Sequence, residues 1–279
     1  MKNHYTDIII YLLYIKYIMN IPKTVFIVPY RDRLEHKKLF EEAMGKNLSD
    51  LDNYKIYYIH QKDKRLFNRG AMKNIGFLLI KRLYPDNYKD ITFIFHDIDT
   101  YGQNKHTIDY KTENGIVKHY YGYDFALGGI FAIKGSDFEI ATGFPNFWGW
   151  GLEDNVLNDR CLEKQLIIDR SQFYIINDKE NIIQNFDQRY KIYNNRNICI
   201  YLYEKPDCLY DITNIRYYIN SSYNNFIMVD ITTYNCSYSE DDLILSKKDT
   251  LRGNKLILER TNCFRKNWNM NTIIKPKTY

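Results

Sequence analysis

Three apolar runs alternate with two stretches of helical spacing in the first hundred residues, and this alternation restricts the fold more than any other feature. The runs are TVFIVPY (24–30), YKIYYIHQ (54–61) and ITFIFHDIDT (91–100), and their β-branched residues are typical of buried strands. Between them, RDRLEHKKLFEEAMGKNL and FNRGAMKNIGFLLIKRLYP repeat apolar residues at helical spacing and end near Gly45 and Pro85. The order strand, helix, strand, helix, strand predicts an α/β fold with a doubly wound, mostly parallel sheet.

The rest of the chain is less regular. GGIFAIKGSDF (128–138) indicates a strand followed by a turn, NVLNDRCLEKQ indicates a helix, and short apolar runs with Asn-containing turns follow from about residue 172. We expect one domain over residues 22–235, an apolar helix at 1–21 before it and a C-terminal extension at 236–279 after it.

The N-terminal segment DIIIYLLYIKYIMNI is shorter than the ~20 residues that a membrane-spanning helix requires, and it contains Lys16. We therefore expect a packed or interfacial amphipathic helix, with a poor signal anchor as the alternative.

Net charge bears on the class of ligand, and cysteine content bears on redox state and structural metal sites. The net charge of +5 is mild for 279 residues, and basic residues are interspersed with acidic ones. This pattern argues against a nucleic-acid partner and weakly for an anionic small ligand. The five cysteines form no CxxC pair, so we expect reduced thiols and no structural zinc site.

Charged residues follow each predicted strand, at the edge where doubly wound sheets bind ligands. Asp97 and Asp99 occupy alternate positions at the end of the third strand, so both side chains are expected to point the same way. Two carboxylates there suit Mg²⁺ or Mn²⁺ holding a diphosphate, and a solvated turn is the alternative. Residues that suit phosphate groups or nucleobases follow the other two strands, namely Tyr30, Arg31, Arg33, Phe67, Asn68 and Arg69.

The segment NFWGWGLEDNVLNDR (146–160) places Trp148 and Trp150 among glycines, directly before Glu153 and Asp154. We interpret it as a mobile loop that closes aromatic surface over a ligand and supplies a carboxylate as a base. The alternative is that both acids occupy the first turn of a helix, where they complement its dipole.

Five motifs occur in the order VPYRDR, FNRGAMKNIGF, FIFHDID, LGGIFAI and GFPNFWGWGLEDNVLNDR. In this order they resemble the β-1,4-galactosyltransferases, including the xylosylprotein galactosyltransferase branch, over residues 24–165. Residues 211–234 are similar to the last strands of that family. The resemblance implies a GT-A fold with a mixed, mostly parallel sheet, a UDP-sugar donor, inversion at the anomeric carbon and Mn²⁺ as cofactor, with Mg²⁺ as the alternative.

The resemblance also implies roles for individual residues. Asp154 would be the catalytic base, Glu153 would fix the acceptor beside it, and Asp99 would be a metal ligand. The donor nucleotide-sugar would be bound by Pro29, Tyr30, Arg31, Arg33, Phe67, Arg69, Asp97, Ile98 and Trp150. The sugars on the acceptor side would be bound by Tyr123, Ala126, Gly128, Gly129, Glu153 and Asp154.

Three departures from the family pattern bear on specificity and metal binding. Leu152 and Asn155 replace two positions of the loop motif, and Asn155 offers an amide where relatives have a carboxylate that contacts the acceptor. Ala126 is smaller than its counterpart, which implies room for a donor bulkier than galactose. Relatives complete their metal site with a histidine, whereas no histidine follows His119 here; the candidates to replace it are Asn177 and Asp178.

The leading hypothesis is an inverting hexosyltransferase that moves galactose, N-acetylgalactosamine or glucose from a UDP-sugar to a hydroxyl of a glycan or glycosylated acceptor. The alternative is a catalytically inactive UDP-sugar or glycan-binding module that retains the fold, which the missing histidine would favour. The short N-terminal apolar segment and the odd number of cysteines differ from Golgi relatives. We therefore expect a cytoplasmic protein, with membrane association or the lumen of the endoplasmic reticulum or Golgi as the alternative.

Overall fold

The computed structural model describes residues 21–149, 151–186 and 208–237, and the backbone of three short strands beyond them. The helices are α1 (Leu34–Asn47), α2 (Arg69–Leu83), α3 (Gly135–Ile140) and α4 (Glu153–Glu163). The strands are, in chain order, β1 (Thr24–Tyr30), β2 (Tyr54–Gln61), β3 (Thr92–His96), β4 (Thr100–Gly102), β5 (Ile116–Gly122), β6 (Ile130–Lys134), β7 (Ile167–Asp169), β8 (Tyr174–Ile175), β9 (Ile182–Gln184), β10 (Ile192–Asn194), β11 (Thr213–Tyr223), β12 (Phe226–Asn235), β13 (Leu243–Leu245) and β14 (Ile273–Ile274).

A mixed, mostly parallel sheet forms the centre of the molecule. Its described strands run in the order β11, β12, β2, β1, β3, β6, β5, β7, β14, and β8 also pairs with β5. Neighbours from β12 to β3 are parallel, whereas β6 is antiparallel to both β3 and β5. The register places Ile27 of β1 between Tyr57 of β2 and Phe95 of β3. The predicted α/β architecture is therefore confirmed.

Helices cover both faces of this sheet because alternate residues of a strand point to opposite faces. Ile27 belongs to the apolar cluster that contains Ile75 of α2, whereas its neighbour Phe26 belongs to the cluster that contains Phe40 of α1. Gly76 lets α2 approach the sheet closely, because a Cβ there would lie 2.5 Å from Cγ2 of Ile27. The doubly wound arrangement thus fixes where α2 begins, at the carboxyl edge of the parallel strands.

The third strand ends earlier than predicted. β3 stops at His96, and Asp97 to Asp99 form a turn before the short strand β4. The backbone N–H of Asp97 still donates to the carbonyl of Gly129 (3.0 Å), but the chain then leaves the ladder. The two carboxylates are therefore placed by a turn and not by strand alternation, which corrects the expectation from the sequence.

Two further boundaries differ from the predictions. The segment after β6 forms the helix α3 where a turn was predicted. The helix α4 begins at Glu153, so that Glu153 and Asp154 lie in its first turn. The alternative interpretation, that both acids occupy the first turn of a helix, is therefore confirmed. This position is compatible with a role for both acids in the site.

Parts of the predicted organisation lie outside the described residues. They are residues 1–20 of the predicted apolar helix, Trp150, and most of the extension at 236–279. Within that extension, the backbone of β14 pairs in parallel with β7. The predicted boundaries of the domain and its two flanking segments stay predictions. No helix within the described ranges combines the length and the hydropathy needed to cross a bilayer.

Candidate active site

The carboxyl ends of β1, β2 and β3 bring basic and acidic side chains together at one edge of the sheet. Nη1 of Arg33, after β1, lies 3.2 Å from Oδ2 of Asp99, after β3. Nη1 of Arg69, at the start of α2, lies 3.8 Å from Oε1 of Glu153, at the start of α4. Two of the predicted basic residues are thus paired with two of the predicted acids.

Arg69 connects the two pairs of carboxylates electrostatically. Burial opposes its charge, but the negative charges of Asp97, Glu153, Asp154 and Asp99 together raise the pKa of Arg69 above its ordinary value. One guanidinium can respond to all four acids only if they surround a common region. The turn after β3 and the first turn of α4 therefore both lie within electrostatic reach of Arg69, and the roles predicted for their four acids stay predictions.

The side chain of Asp154 is held on both sides. Nζ of Lys73, from α2, donates a hydrogen bond to Oδ1 (2.8 Å). Oδ2 lies against the backbone of Gly128, where an added Cβ would come within 2.7 Å of it. The backbone N–H of Leu127 also donates to the carbonyl of Asp154 (2.9 Å). Within the described part of the chain no hydrogen-bond donor reaches Oδ2, so this oxygen is available to a ligand.

The carboxyl groups of each acidic pair differ in their electrostatic surroundings. Burial, and then the charge of Asp154, raise the pKa of Glu153. Burial, and then the charge of Asp97, raise the pKa of Asp99. Burial acts in the same direction on Asp97, but Arg69 and Lys73 outweigh it and lower the pKa of Asp97. Asp99 is therefore the carboxyl of the turn that gains most from a bound cation.

The residues near Asp99 fit a divalent cation that is shared with a diphosphate. No group of three acidic, histidine or cysteine side chains in the described residues forms a closed metal site. Magnesium-like ions in nucleotide sites, however, usually bind one or two carboxylates together with phosphate oxygens and water. Asp99 supplies one such carboxylate at the place where a diphosphate would meet Arg33.

A second carboxylate comes from the segment 177–185, which lies beside the turn. β9 pairs with β4, and the N–H of Asn185 donates to the carbonyl of Asp99 (2.7 Å). Burial raises the pKa of Tyr121, and both Asp99 and Asp178 add to this, so the tyrosine lies within electrostatic reach of the two acids. Oδ1 of Asp178 accepts the backbone N–H groups at 180 and 181, while Asn177 has a left-handed φ of +75°. Nδ2 of Asn181 also donates to both carboxylate oxygens of Asp178 (3.2 Å each), and the choice of Asp178 or Asn177 as the additional ligand stays a prediction.

The predicted uridine-binding residues after β1 are only partly accessible. Pro29 and Tyr30 are buried, and the ring of Tyr30 meets His60 edge to face with centroids 5.1 Å apart. This corrects the expectation that the Tyr30 ring is free to stack on a nucleobase. Arg31 donates from Nη2 to the carbonyl of Asp63 (2.9 Å) and from Nη1 to the carbonyl of Arg65. The guanidinium of Arg31 therefore ties together the loops after β1 and β2.

Two other residues that were predicted to bind the donor nucleotide-sugar differ in exposure. Phe67 is half-buried at the edge of the site and packs against the apolar core. The side chain of Ile98 is 5% exposed and lies in the cluster under α1. Only the backbone of Ile98 can therefore contact a donor, whereas the ring of Phe67 still has an open face.

The tryptophan loop is fixed at its base. Trp148 is 3% exposed and stacks on Tyr234 with centroids 5.8 Å apart, and the guanidinium of Arg65 lies over both rings. Gly149 forms a parallel bridge with Asn68, the residue that caps α2. Trp148 therefore belongs to the core, which corrects its assignment to a closing aromatic surface. Trp150 lies outside the described residues, and its contact with the diphosphate stays a prediction.

Residues 123–127, which we call the acceptor loop after the role predicted for them, are joined to the first turn of α4 by the hydrogen bond from the N–H of Leu127 to the carbonyl of Asp154. Tyr123 is 45% exposed and its ring stacks on that of Phe125, with centroids 5.1 Å apart and planes inclined by 19°. Nδ2 of Asn155 donates to the carbonyl of Phe125 (3.3 Å). Asn155 thus holds the acceptor loop to α4, which only an amide can do, because a carboxylate has no hydrogen to donate. Ala126 is buried behind the aromatic pair.

A buried histidine, which the sequence did not single out, supports the glycine pair after this loop. Nε of Arg170 donates to Nδ1 of His119 (3.0 Å), so the proton of the neutral ring lies on Nε2. That nitrogen donates to the carbonyls of Tyr121 and Gly128, each at 3.1 Å. Burial lowers the pKa of His119 to about 3, which keeps the ring neutral. Gly129 has a φ of +69° that favours glycine.

Lys73 was also missed, although the sequence contains a signal for it. It follows Arg69 by four residues, so both lie on the same side of α2. A lysine on the buried side of an apolar helix requires a partner, and here the partner is Asp154.

Two protein-family models match the chain. The N-terminal region of glycosyl transferase group 7 matches residues 18–112, and the N-terminal domain of galactosyltransferase matches residues 111–184. Together they include the whole site from β1 to the segment beside Asp99.

Curated relatives match a similar part of the chain. Human β-1,4-galactosyltransferase 4 is 33% identical over 162 residues, and xylosylprotein 4-beta-galactosyltransferase of Caenorhabditis elegans is 31% identical over 158 residues. Each match covers 53% of this chain, and they cover 45% and 53% of the relatives. The chain thus spans about half the length of the curated relatives that it matches.

Solved structures agree with the fold. The catalytic domain of Drosophila β1,4-galactosyltransferase 7 in complex with xylobiose superposes with a TM-score of 0.59 at 21% identity, covering 79% of this chain and 96% of that one. A mutant of that enzyme in complex with manganese, UDP-Gal and xylobiose gives a TM-score of 0.57 at 19% identity. This likeness confirms the GT-A fold. With the two family matches and the ordered motifs, it follows that the chain belongs to the group 7 glycosyltransferases, the family of the β-1,4-galactosyltransferases.

Proposed function

We propose that the chain is an inverting galactosyltransferase, which moves a hexose from a UDP-sugar to a hydroxyl of a glycan or glycosylated acceptor and forms a β-linkage. The observation that carries this proposal is the placement of Asp154. One of its oxygens is fixed by Lys73 and the other is open, and its carboxylate lies within electrostatic reach of Arg69, as do Asp97 and Asp99.

In this proposal Oδ2 of Asp154 takes the proton of the acceptor hydroxyl. The hydroxyl oxygen then forms the new bond to the anomeric carbon, while the bond from that carbon to the diphosphate oxygen breaks and its electron pair leaves with UDP. Arg33 and Arg69 bind and orient the diphosphate, because a guanidinium fork matches phosphate oxygens. Asp99, with Asp178 from the segment that pairs with β4, would hold a divalent cation, which would supply further positive charge to the leaving group.

The donor and acceptor classes follow from the family. The Drosophila relative was solved with UDP-Gal, manganese and xylobiose, and the Caenorhabditis relative acts on xylosylprotein. We therefore propose UDP-galactose with Mn²⁺ as the first pair to test, and Mg²⁺ as the second cation. Ala126 supports UDP-N-acetylgalactosamine as a further donor, since a small side chain leaves room for the acetamido group, and UDP-glucose completes the panel.

A panel of UDP-sugars tests this function. The purified chain is expected to hydrolyse or transfer from at least one of these donors with Mn²⁺, and chelation with EDTA is expected to abolish turnover. Asp154→Asn is expected to lower kcat by about a thousandfold, the range for losing a general base, while the Kd for UDP measured by calorimetry stays within twofold. Asp50→Asn, which changes an exposed carboxylate distant from the site, is the matched control. Full activity of Asp154→Asn would remove the base from the mechanism.

A catalytically inactive UDP-sugar or glycan-binding module is the second candidate. Two observations favour it: no histidine follows His119, and the described residues form no three-ligand metal cluster. Calorimetric titration of UDP with and without Mn²⁺ separates the two functions. Binding that is independent of metal, together with no turnover of any donor, would establish the module.

We also propose a reducing compartment, the cytoplasm, as the location. The five cysteines form no CxxC pair and are odd in number, and Cys161 is a buried thiol. A protease-protection assay on isolated membranes tests this location, because protection would place the protein in a lumen.

A further inference from the structure

Lys73 occupies a position where a charged side chain is costly without a specific partner. It lies in the second turn of α2, only 2% exposed, and its ammonium group is 4.5 Å from the centre of the Phe144 ring. Burying an unpaired ammonium group costs several kcal/mol, so a lysine is kept at such a position only by compensating contacts. The contact that compensates it is the 2.8 Å hydrogen bond to Asp154.

The geometry of this contact distinguishes the two oxygens of Asp154. Oδ1 accepts the hydrogen bond from Lys73, and the side chain is therefore fixed in one orientation. In that orientation Oδ2 lies on the Gly128 side, where the absence of a Cβ leaves room for it. Lys73 is 2% exposed, whereas the side chain of Asp154 is 19% exposed. The lysine thus approaches from the interior, and the carboxylate retains an open side.

The charges around Lys73 show why a cation is needed there. Asp154 is adjacent to Glu153 in the chain, and Arg69 lies 3.8 Å from Glu153. Lys73 pairs with Asp154, and its positive charge opposes the rise in the pKa of Glu153 that burial and Asp154 cause. Arg33, Arg69 and Lys73 together place three positive charges among four carboxyl groups, and only Lys73 contacts Asp154 directly within the described residues.

We propose that Lys73 is a positioning residue for the base: it holds Oδ1 of Asp154 from inside the molecule, so that Oδ2 is presented to the acceptor hydroxyl beside Gly128. This inference rests on the proposed transferase function. Lys73 contacts neither substrate in this scheme, and it acts on the reaction only through the orientation and charge of Asp154.

The test compares Lys73→Met with wild type, using UDP-galactose and a xyloside acceptor with Mn²⁺. Methionine fills a similar volume and removes the charge. We expect kcat to fall at least about tenfold while the KM of the donor stays within twofold, because the base is misplaced but the diphosphate site is intact. The control is Lys81→Met in the same helix, which removes the pair that Lys81 forms with Glu139 far from the site. It is expected to keep wild-type kcat even if the protein is less stable.

A double variant tests the same role even where the single variant Lys73→Met folds poorly. In the double variant Lys73→Met with Asp154→Asn, no carboxylate is left for the lysine to orient and no buried charge is left unpaired. Its residual kcat is expected to equal that of Asp154→Asn within twofold, since a residue that acts only through Asp154 has no effect once the carboxylate is gone. A further tenfold loss would overturn the positioning role.

The outcomes separate this inference from the function on which it rests. Wild-type protein that turns over no donor would overturn the proposed function and this inference with it. Active wild type with Lys73→Met at more than half of the wild-type kcat would overturn the inference alone. A rise in the donor KM with unchanged kcat would also overturn it, because Lys73 would then act on the donor site and not on the base.

Discussion

The donor side of the site and the acceptor loop are held in place by different physical means. On the proposed donor side, Arg33 pairs with Asp99 and Arg69 with Glu153, and these side chains are mostly buried. The acceptor loop presents Tyr123 and Phe125 to solvent and is held by neutral hydrogen bonds to Asp154 and Asn155. Ion pairs therefore fix the geometry of the proposed donor side, whereas backbone and amide hydrogen bonds fix that of the proposed acceptor side.

The boundary between the two sides is Gly128, and a methyl group there gives the largest expected effect. In Gly128→Ala the added Cβ would lie 2.7 Å from Oδ2 and 3.2 Å from Cγ of Asp154. The base must move, so we expect kcat to fall by at least about a hundredfold while the Kd for UDP, measured by calorimetry, stays within twofold.

The matched control is Gly45→Ala in α1, where a Cβ meets no atom within 4 Å. This substitution is expected to keep kcat and to raise the free energy of unfolding by up to about 1 kcal/mol, since alanine is the better helix former. A kcat for Gly128→Ala within threefold of wild type would show that Asp154 does not need its present place.

The next largest effect is expected at Asp230, a buried carboxylate in the middle of β12 that lies opposite His60, near the end of β2. Burial raises its pKa, but hydrogen bonds from Lys62 and His60 outweigh burial and lower the pKa of Asp230 to about 2. Because the folded pKa is below the unfolded value of about 3.9, Asp230 stabilises the fold above pH 4, and this contribution is lost as the pH falls towards 2. Asp230→Asn is expected to lower the free energy of unfolding at pH 7 by roughly 2 kcal/mol.

Urea unfolding at pH 7 and at pH 2.5 measures this difference, which should shrink at the lower pH. Asp86→Asn, at an exposed carboxylate after α2, is expected to leave the pH dependence close to that of wild type. An equal difference between Asp230→Asn and wild type at both pH values would contradict the assigned ion pairs.

The acceptor side gives the smallest expected effect. Asn155→Asp replaces the amide that donates to the carbonyl of Phe125 by a carboxylate that repels it. We expect the acceptor loop to shift, so that the KM of the acceptor rises about fivefold and the KM of the donor stays within twofold. Asn114→Asp adds the same charge at an exposed turn and serves as the control. A change confined to the donor KM would contradict the division between the two sides.

Much of the fold could be predicted from the sequence because its signals are local. β1 and β2 have the predicted bounds, since each is a continuous apolar run that ends at charged residues. The residues that meet at the carboxyl edge were also predicted, because parallel strands bring their ends together whatever the details of packing.

The errors concern contacts between residues far apart in the chain. Trp148 was assigned to a mobile surface because of its neighbouring glycines, whereas stacking on Tyr234 of β12 buries it. Lys73 and Asp154 are separated by 81 residues, and nothing in either motif indicates their pairing. Such partners are set by tertiary packing, which a pattern of spacing in one sequence does not contain.

The helix α2 sets the distance between two basic residues of the site. Arg69 and Lys73 are one turn apart on α2, which advances about 6 Å along its axis over four residues. The distance between Arg69, proposed to bind the diphosphate, and Lys73, proposed to position the base, is therefore set by the rigid helix α2. Replacing the acceptor loop by one of another sequence would alter which acceptor the protein binds and leave the distance between Arg69 and Lys73 unchanged.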